Sequence, residues 1–494
     1  MRQLVTVFVL AVALILSAAP ARPYTLQFTD ASNSVQIKWA SNTIKIAFST
    51  SLTQPPANIK SGSDVVGAAR RALAHWAEAA NINFVESSST AQSISPSGGS
   101  GDRISLITVA RTPENLAPFK GQSNEMSGRT RVFYTRRGSI TEADIVLNPT
   151  QGFSTDGTPG TYDLEATFTH EIGHLLGLEH SGIVGSTMQP RQGRNGIYSL
   201  PAWTPRTLSD DDRAGARSLY GTRAGSNPRG GIAGTISYHT GAPAFGANVW
   251  AEEVTTGRVS ASNITLAHGA YRIDGLLPGN YRVMVEPLNG SVFASEIASQ
   301  RGAYAGLTLN QPAPFRTEEI GQVSVAQGAT ISLNAQLPGE SPLLNPSLVG
   351  FNGQLSTISV PIKGGRAYTV YVGGEGINLN QIPNTGITVT SPFITVNPAS
   401  LMQQQFGTGI PVISFDISVS QGIPVGDYSL RLQSNTGEVA YIAGSLTVEG
   451  AERSGGPAQS GTFIAPQPAP GNPQDALFAG SLASIISFAW PFKN

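Results

Sequence analysis

The chain has 494 residues, which calls for two to four domains rather than one core. Charged residues are only 13% and the net charge is −1, so no basic excess points to nucleic acid or to an anionic membrane surface. The absence of cysteine excludes disulfides, thiolate metal ligands and cysteine nucleophiles together, while 55 glycines and 33 prolines predict many turns and hence β-rich modules.

Residues 1–21 read as a secretory signal peptide. Met1-Arg2-Gln3 is a short basic start, 4–16 is an apolar run, and small residues follow at Ser17, Ala18, Ala19 and Ala21. The run is short for a membrane span, so no transmembrane span is expected, and without cysteine there is no lipid attachment box. The expected location is secreted or extracellular. Export without disulfides fits a bacterial envelope or extracellular protein better than a eukaryotic secreted one.

After cleavage about twenty residues precede the first predicted strand, 43–48, too few for a folded propeptide. Residues 64–80 read as an amphipathic helix. Val65, Ala68, Ala69, Leu73, Trp76 and Ala80 recur at helical spacing, with Ser63 or Asp64 as cap. His75 on this helix reads as a surface or packed residue. Strands are predicted over 82–85, 104–109, 131–135 and 143–147, with a Ser/Gly-rich loop at 87–101. The Gly/Thr/Asp loop 153–163 could bind Ca²⁺ through its oxygens, although turn chemistry explains the same composition.

A helix over 165–176 carries His170, Glu171 and His174. Residues four apart share one helix face, so the two imidazoles can hold a single Zn²⁺ with Glu171 beside them as general base. His180 would lie about 240° around from His174 if the helix continued. The helix must therefore stop, and Gly177 stands where a left-handed terminal residue is needed. Three histidines with one position left for water make a catalytic zinc site rather than a closed structural one. A lone HExxH is short enough to arise by chance. The extension through Gly177 to His180 uses three of only six histidines in the chain.

This stretch resembles the metzincin metallopeptidases, whose signature is HExxHxxGxxH followed by a methionine turn. Met188, in Ser186-Thr187-Met188-Gln189-Pro190, fits the turn. The closest likeness is to the matrixins, the matrix metalloproteinase group. Ser181 follows the third histidine, Pro190 follows Met188 by two, and 208–221 is similar to the final helix of matrixin catalytic domains. The resemblance covers roughly 24–221. It implies an α+β zincin domain over 22–222 with His170, His174 and His180 as ligands, Glu171 as catalytic base and Met188 as an apolar floor. It also implies a cleft bordered by an edge strand, here 143–147 or its neighbour. Gln192 stands where vertebrate members often have a tyrosine lining the specificity pocket, and the cysteine switch of many members has no counterpart. Asp210-Asp211-Asp212 could be read as a metal site, but acidic residues at a helix start more often favour its dipole, with Ser209 as cap.

Residues 222–229 form a linker. Residues 229–338 are similar to the carboxypeptidase regulatory-like, transthyretin-type β-sandwich, with 289–319 as a long insertion and 323–337 as closing strands. His239 and His268 read as turn or surface residues. Residues 342–450 alternate strand-like runs and turns in the manner of an immunoglobulin-like sandwich. Residues 451–494 are a Pro/Gly-rich tail with an apolar end. The expected fold is thus multidomain, an α+β zincin domain followed by two all-β sandwich modules.

The expected function is a secreted zinc endopeptidase acting on protein or peptide substrates. The alternative is a cell-surface or extracellular binding or adhesion protein, with a minor or inactive zinc site and with glycan or surface ligands for the β modules.

Overall fold

The computed structural model describes residues 24–450 except 31–34, 122–125, 225, 227, 298–301, 309–311 and 408. The expected signal peptide and the tail at 451–494 lie outside the described residues. The chain is multidomain and mostly β.

The N-terminal region is built on β1 (Thr43–Ser49), α1 (Val65–Ala79), β2 (Asn83–Ser89), β3 (Leu106–Thr108), the single turn α2 (Pro113–Leu116), β4 (Gly128–Tyr134) and β5 (Ile140–Leu147). It continues with the two-residue strands β6 (Phe153–Ser154) and β7 (Tyr162–Asp163), then α3 (Leu164–Leu175) and α4 (Asp210–Tyr220). The main sheet runs β2-β1-β3-β5-β4. All its pairs are parallel except β4 with β5, so β4 is an antiparallel edge. Of the two strands the sequence offered for the edge, β4 is the one. β5 lies inside the sheet with only Thr141 exposed.

Asp64 caps α1 by accepting from the Gly67 amide. The apolar stripe of α1 packs on α3, and Trp76 donates from Nε1 to the Thr169 carbonyl at 2.8 Å. Every residue of α3 except His174 is buried, including the polar Glu165, Thr167, Thr169, His170 and Glu171. Its start is fixed by Asp163, which accepts from the Ala166 amide and from the buried Arg206 guanidinium at 2.6 Å. Burial pushes the Asp163 carboxyl up and Arg206 pulls it back. α4 opens with a capping box between Ser209 and Asp212.

Two sheets follow. One contains Ala247–Glu253, Val259–Ile264, Gly279–Pro287 and Glu318–Val325; the other contains Gly230–Ser237, Ala270–Leu276 and Thr330–Ser332. Val249, Val283 and Val285 of the first share one buried cluster with Ile232, Tyr271 and Ile273 of the second. The last part of the chain repeats this layering with a five-stranded and a four-stranded sheet around Val349, Val372, Phe415, Leu430 and Leu446. Its strand Ile394–Gln404 contains Pro398 at a break in register and lies at a sheet edge, where proline is tolerated.

The N-terminal region is joined to both later parts through the chain after His180. Ile183 is fully buried in a cluster with Trp250, Val259, Met284, Tyr441 and Ala443, and the Val184 amide donates to the Ala443 carbonyl at 2.9 Å. Tyr198 takes a left-handed conformation (φ 58°), and its hydroxyl bonds the carbonyls of Val349 and Ile358 at 3.0 and 2.7 Å. Among the described residues no helix is long and apolar enough to cross a membrane.

Candidate metal centre

α3 ends where the spacing requires. Leu176 caps it, Gly177 adopts φ +100°, and a β-carbon on Gly177 would stand 2.3 Å from the Ile37 carbonyl oxygen. Leu178 pairs back with Leu26, and the turn returns His180 to the face of His170 and His174. One ring nitrogen from each of the three histidines lies within 4.8 Å of the others, an arrangement that could hold a metal ion.

Which nitrogen faces inward follows from the hydrogen bonds. Nδ1 of His170 lies 2.8 Å from the Thr187 carbonyl, Nδ1 of His174 lies 2.8 Å from the Leu178 carbonyl, and Nδ1 of His180 lies 2.5 Å from the Glu296 carbonyl. A carbonyl only accepts, so each Nδ1 carries the proton and each Nε2 presents a lone pair. Nε2 of His174 and Nε2 of His180 are 3.2 Å apart. With both protons on Nδ1 this contact is not a hydrogen bond; two lone pairs face one another, which a shared cation resolves. Tetrahedral ligands bound at 2.0–2.1 Å stand about 3.3 Å apart, so the donor set and the spacing of this pair fit zinc. Burial, and then the neighbouring imidazoles, hold His174 well below the usual histidine range. Burial and His170 push His180 down to about 3, so neither ring takes a second proton near neutral pH.

Glu171, the residue after His170, is buried. Its Oε2 accepts from the Thr130 hydroxyl at 2.6 Å, and the same hydroxyl lies 2.9 Å from the Glu171 carbonyl. Thr130 belongs to the edge strand β4, which is thereby tied to α3. Burial raises the Glu171 carboxyl, opposed by His170 and the Thr130 bond. A β-carbon on Gly128, on the same strand, would stand 2.8 Å from Glu171 Oε1.

Met188 is fully buried, with its sulfur against Gly173. Its turn is braced by one carboxylate. Asp212 accepts from the Ser186 hydroxyl at 2.5 Å, the Thr187 amide at 2.8 Å and the Met188 amide at 3.1 Å. It also accepts from the Ser209 amide at 2.9 Å, closing the α4 capping box. A line of bonds therefore runs from α4 through the methionine turn to the Thr187 carbonyl and on to His170.

His75 lies 3.2 Å from Glu165, apart from the other three histidines, and His239 and His268 are exposed. Gln192 accepts from Ser127 at 2.6 Å and from Thr167 at 3.2 Å. In the 153–163 loop, Asp156 is held by Lys60 and Thr158, and Asp163 by Arg206. Thr130, Asp212 and Glu296 had no signal in the sequence pattern around the histidines, because each reaches the site from a distant part of the chain.

Residues 38–221 match the family model described as Matrixin. The chain carries a matrixin domain. Residues 231–310 match the model described as carboxypeptidase regulatory-like domain. Metalloendoproteinase 1 of Glycine max is 28% identical over 159 residues, covering 31% of this chain and 44% of that protein. Matrix metalloproteinase-25 of Mus musculus is 30% identical over 161 residues, covering 32% of this chain and 23% of that protein. The chain thus spans less than half the length of these two relatives. The crystal structure of BcpA, the major pilin subunit of Bacillus cereus, aligns at 12% identity over 44% of this chain and 69% of that one, with a TM-score of 0.16 that carries no argument about fold.

Proposed function

We propose that the chain is a secreted zinc endopeptidase that hydrolyses peptide bonds of extracellular proteins. The observation that carries this reading is the convergence of three Nε2 lone pairs, each set by a carbonyl on the opposite nitrogen, beside the buried carboxylate of Glu171. His170, His174 and His180 are the ligands in this reading. Zinc bound there supplies Lewis-acid polarisation of the scissile carbonyl and makes water more acidic.

The protein's own groups do the rest. Glu171 takes a proton from the attacking water and returns it to the departing amine nitrogen. Thr130 holds the carboxylate in position. The free edge of β4 can take an extended substrate as an added antiparallel strand, a mode that relies on backbone bonds and tolerates many sequences. Met188 forms the floor that fixes the spacing of the helix and the turn. The two pairs of β-sheets are read as a transthyretin-type and an immunoglobulin-like sandwich, over 229–338 and 342–450, against which the segment after the methionine turn is packed.

The test compares the unaltered chain with Glu171→Ala on an unfolded protein substrate, with bound zinc quantified in both. The reading expects equal zinc and cleavage only by the unaltered chain. Equal cleavage by both would remove Glu171 from the mechanism, and absence of zinc from both would remove the metal site.

A further inference from the structure

Two of the three carbonyls that orient the imidazoles come from the matrixin domain itself. The third does not. His180 donates from Nδ1 to the carbonyl of Glu296, a residue 116 positions further along, in the insertion of the carboxypeptidase regulatory-like module. The His180 amide also donates to the next carbonyl, that of Ile297, at 3.1 Å. Both the side chain and the main chain of this histidine are thus bonded to consecutive peptide units of another module.

That segment is pinned. The Glu296 carboxylate takes a two-point ion pair from Arg191, Nε to Oε1 at 2.7 Å and Nη2 to Oε2 at 2.9 Å. Its Oε2 also accepts from the Phe293 amide at 2.9 Å, closing the short turn Ala294–Glu296. The Arg191 guanidinium lies 5.2 Å from the Phe293 ring centre. Ala294 and Ile297 are fully buried in the same apolar cluster as Leu26 and Leu178. On the far side, Asn345 donates to the Asn289 carbonyl at 3.1 Å and Ser291 to the Ser347 carbonyl at 3.0 Å, which ties the start of the insertion to the last module. Arg191 itself lies three residues after Met188, so the latch closes on the chain that leaves the methionine turn.

We propose that Glu296 and Arg191 are positioning residues for the metal centre: the ion pair holds the insertion so that the Glu296 main-chain carbonyl orients His180. This rests on the reading of the three histidines as a zinc site. An Nδ1–H that loses its acceptor in a buried setting leaves the ring free to turn, and loss of such an outer partner typically weakens metal binding 10- to 100-fold.

The experiment uses the full chain and measures zinc affinity by competition with a chelator, together with the visible absorption of the cobalt-substituted protein. The variants are Arg191→Met, Arg191→Lys, Glu296→Gln and, as a reference, His174→Ala. The proposal expects roughly 10- to 100-fold weaker zinc binding in Arg191→Met and Glu296→Gln, with a changed cobalt spectrum, and partial recovery in Arg191→Lys. A packing role alone would lower the melting temperature and leave affinity and spectrum as they are, which overturns the proposal. If Arg191→Met does not fold, Glu296→Gln decides, since it keeps side-chain length and an acceptor for the Phe293 amide. If His174→Ala binds zinc as tightly as the unaltered chain, the zinc-site reading itself falls. If His174→Ala loses zinc while the latch variants keep it unchanged, only the present proposal falls.

Discussion

A β-carbon on Gly173 would stand 2.2 Å from the sulfur of Met188 and 2.9 Å from the Trp76 ring. The middle of α3 and the methionine turn thus touch at a position with room for hydrogen alone. Gly173→Ala should cost about 1–3 kcal/mol of stability through overpacking. It should also weaken zinc binding, because the displaced turn carries the Thr187 carbonyl on which His170 depends. Thermal melting and a zinc titration check this; an unchanged melting temperature would show that the turn yields freely.

Thr130→Val removes the hydroxyl that bonds Glu171 at 2.6 Å while keeping shape. A hydrogen bond to a charged group is worth about 1.5–3 kcal/mol, so kcat on a peptide substrate should fall roughly tenfold or more. Zinc content should stay the same. Steady-state kinetics with metal analysis test it, and a fall in zinc with kcat per bound zinc unchanged would move Thr130 out of the catalytic role.

Asp212 and Asp210 sit in the same helical turn with different partners. Asp212→Ala strips acceptors from Ser186, Thr187, Met188 and Ser209 in a buried setting, so a loss of at least about 3 kcal/mol is expected. Asp210→Ala removes only a partly exposed pair with Arg258, and should change stability by less than about 1 kcal/mol. Denaturant unfolding of the two variants should separate them clearly.

Asp211 links the matrixin domain to the next module, accepting from the Ser181 hydroxyl at 2.6 Å and from the Ser262 amide. Burial first, and then Asp212, push its carboxyl up to about 7. A carboxyl raised above its unfolded value of about 3.9 favours folding only while protonated. Its contribution therefore turns unfavourable as pH rises from about 4 to about 7 and stays so above. Asp211→Asn should remove this slope, gaining stability at pH 8 relative to pH 5 when each is compared with the unaltered chain. Parallel pH profiles of unfolding free energy for the two proteins would contradict the assignment.

The histidines, Glu171 and Gly177 were legible in the sequence because their geometry is local: one helix, one stop, one return. Met188 was legible only through the family resemblance. The edge strand was ambiguous because Glu142 and Asp144 make β5 look half exposed. Both are buried, and main-chain amides answer them, with Asp144 accepting from Ser95 at 2.7 Å and Leu106 at 2.9 Å. Thr130 and Glu296 could not be read at all, and Asp212 was read only as an acidic residue at a helix start, not as the brace of the methionine turn. Each acts on a partner at least 24 residues away, where only the folded chain brings them together.

The wedge of the loop after His180 into both later modules carries a consequence for timing. The Val184–Ala443 bond and the burial of Ile183 among Trp250, Met284 and Tyr441 await strands that leave the ribosome long after α3. At about 5–20 residues per second, that interval is on the order of tens of seconds. During it, His180 lacks the Glu296 carbonyl and the loop that follows it lacks its walls. Length of chain then does the work of a delay, and these contacts close only once nearly the whole of the described protein has been made.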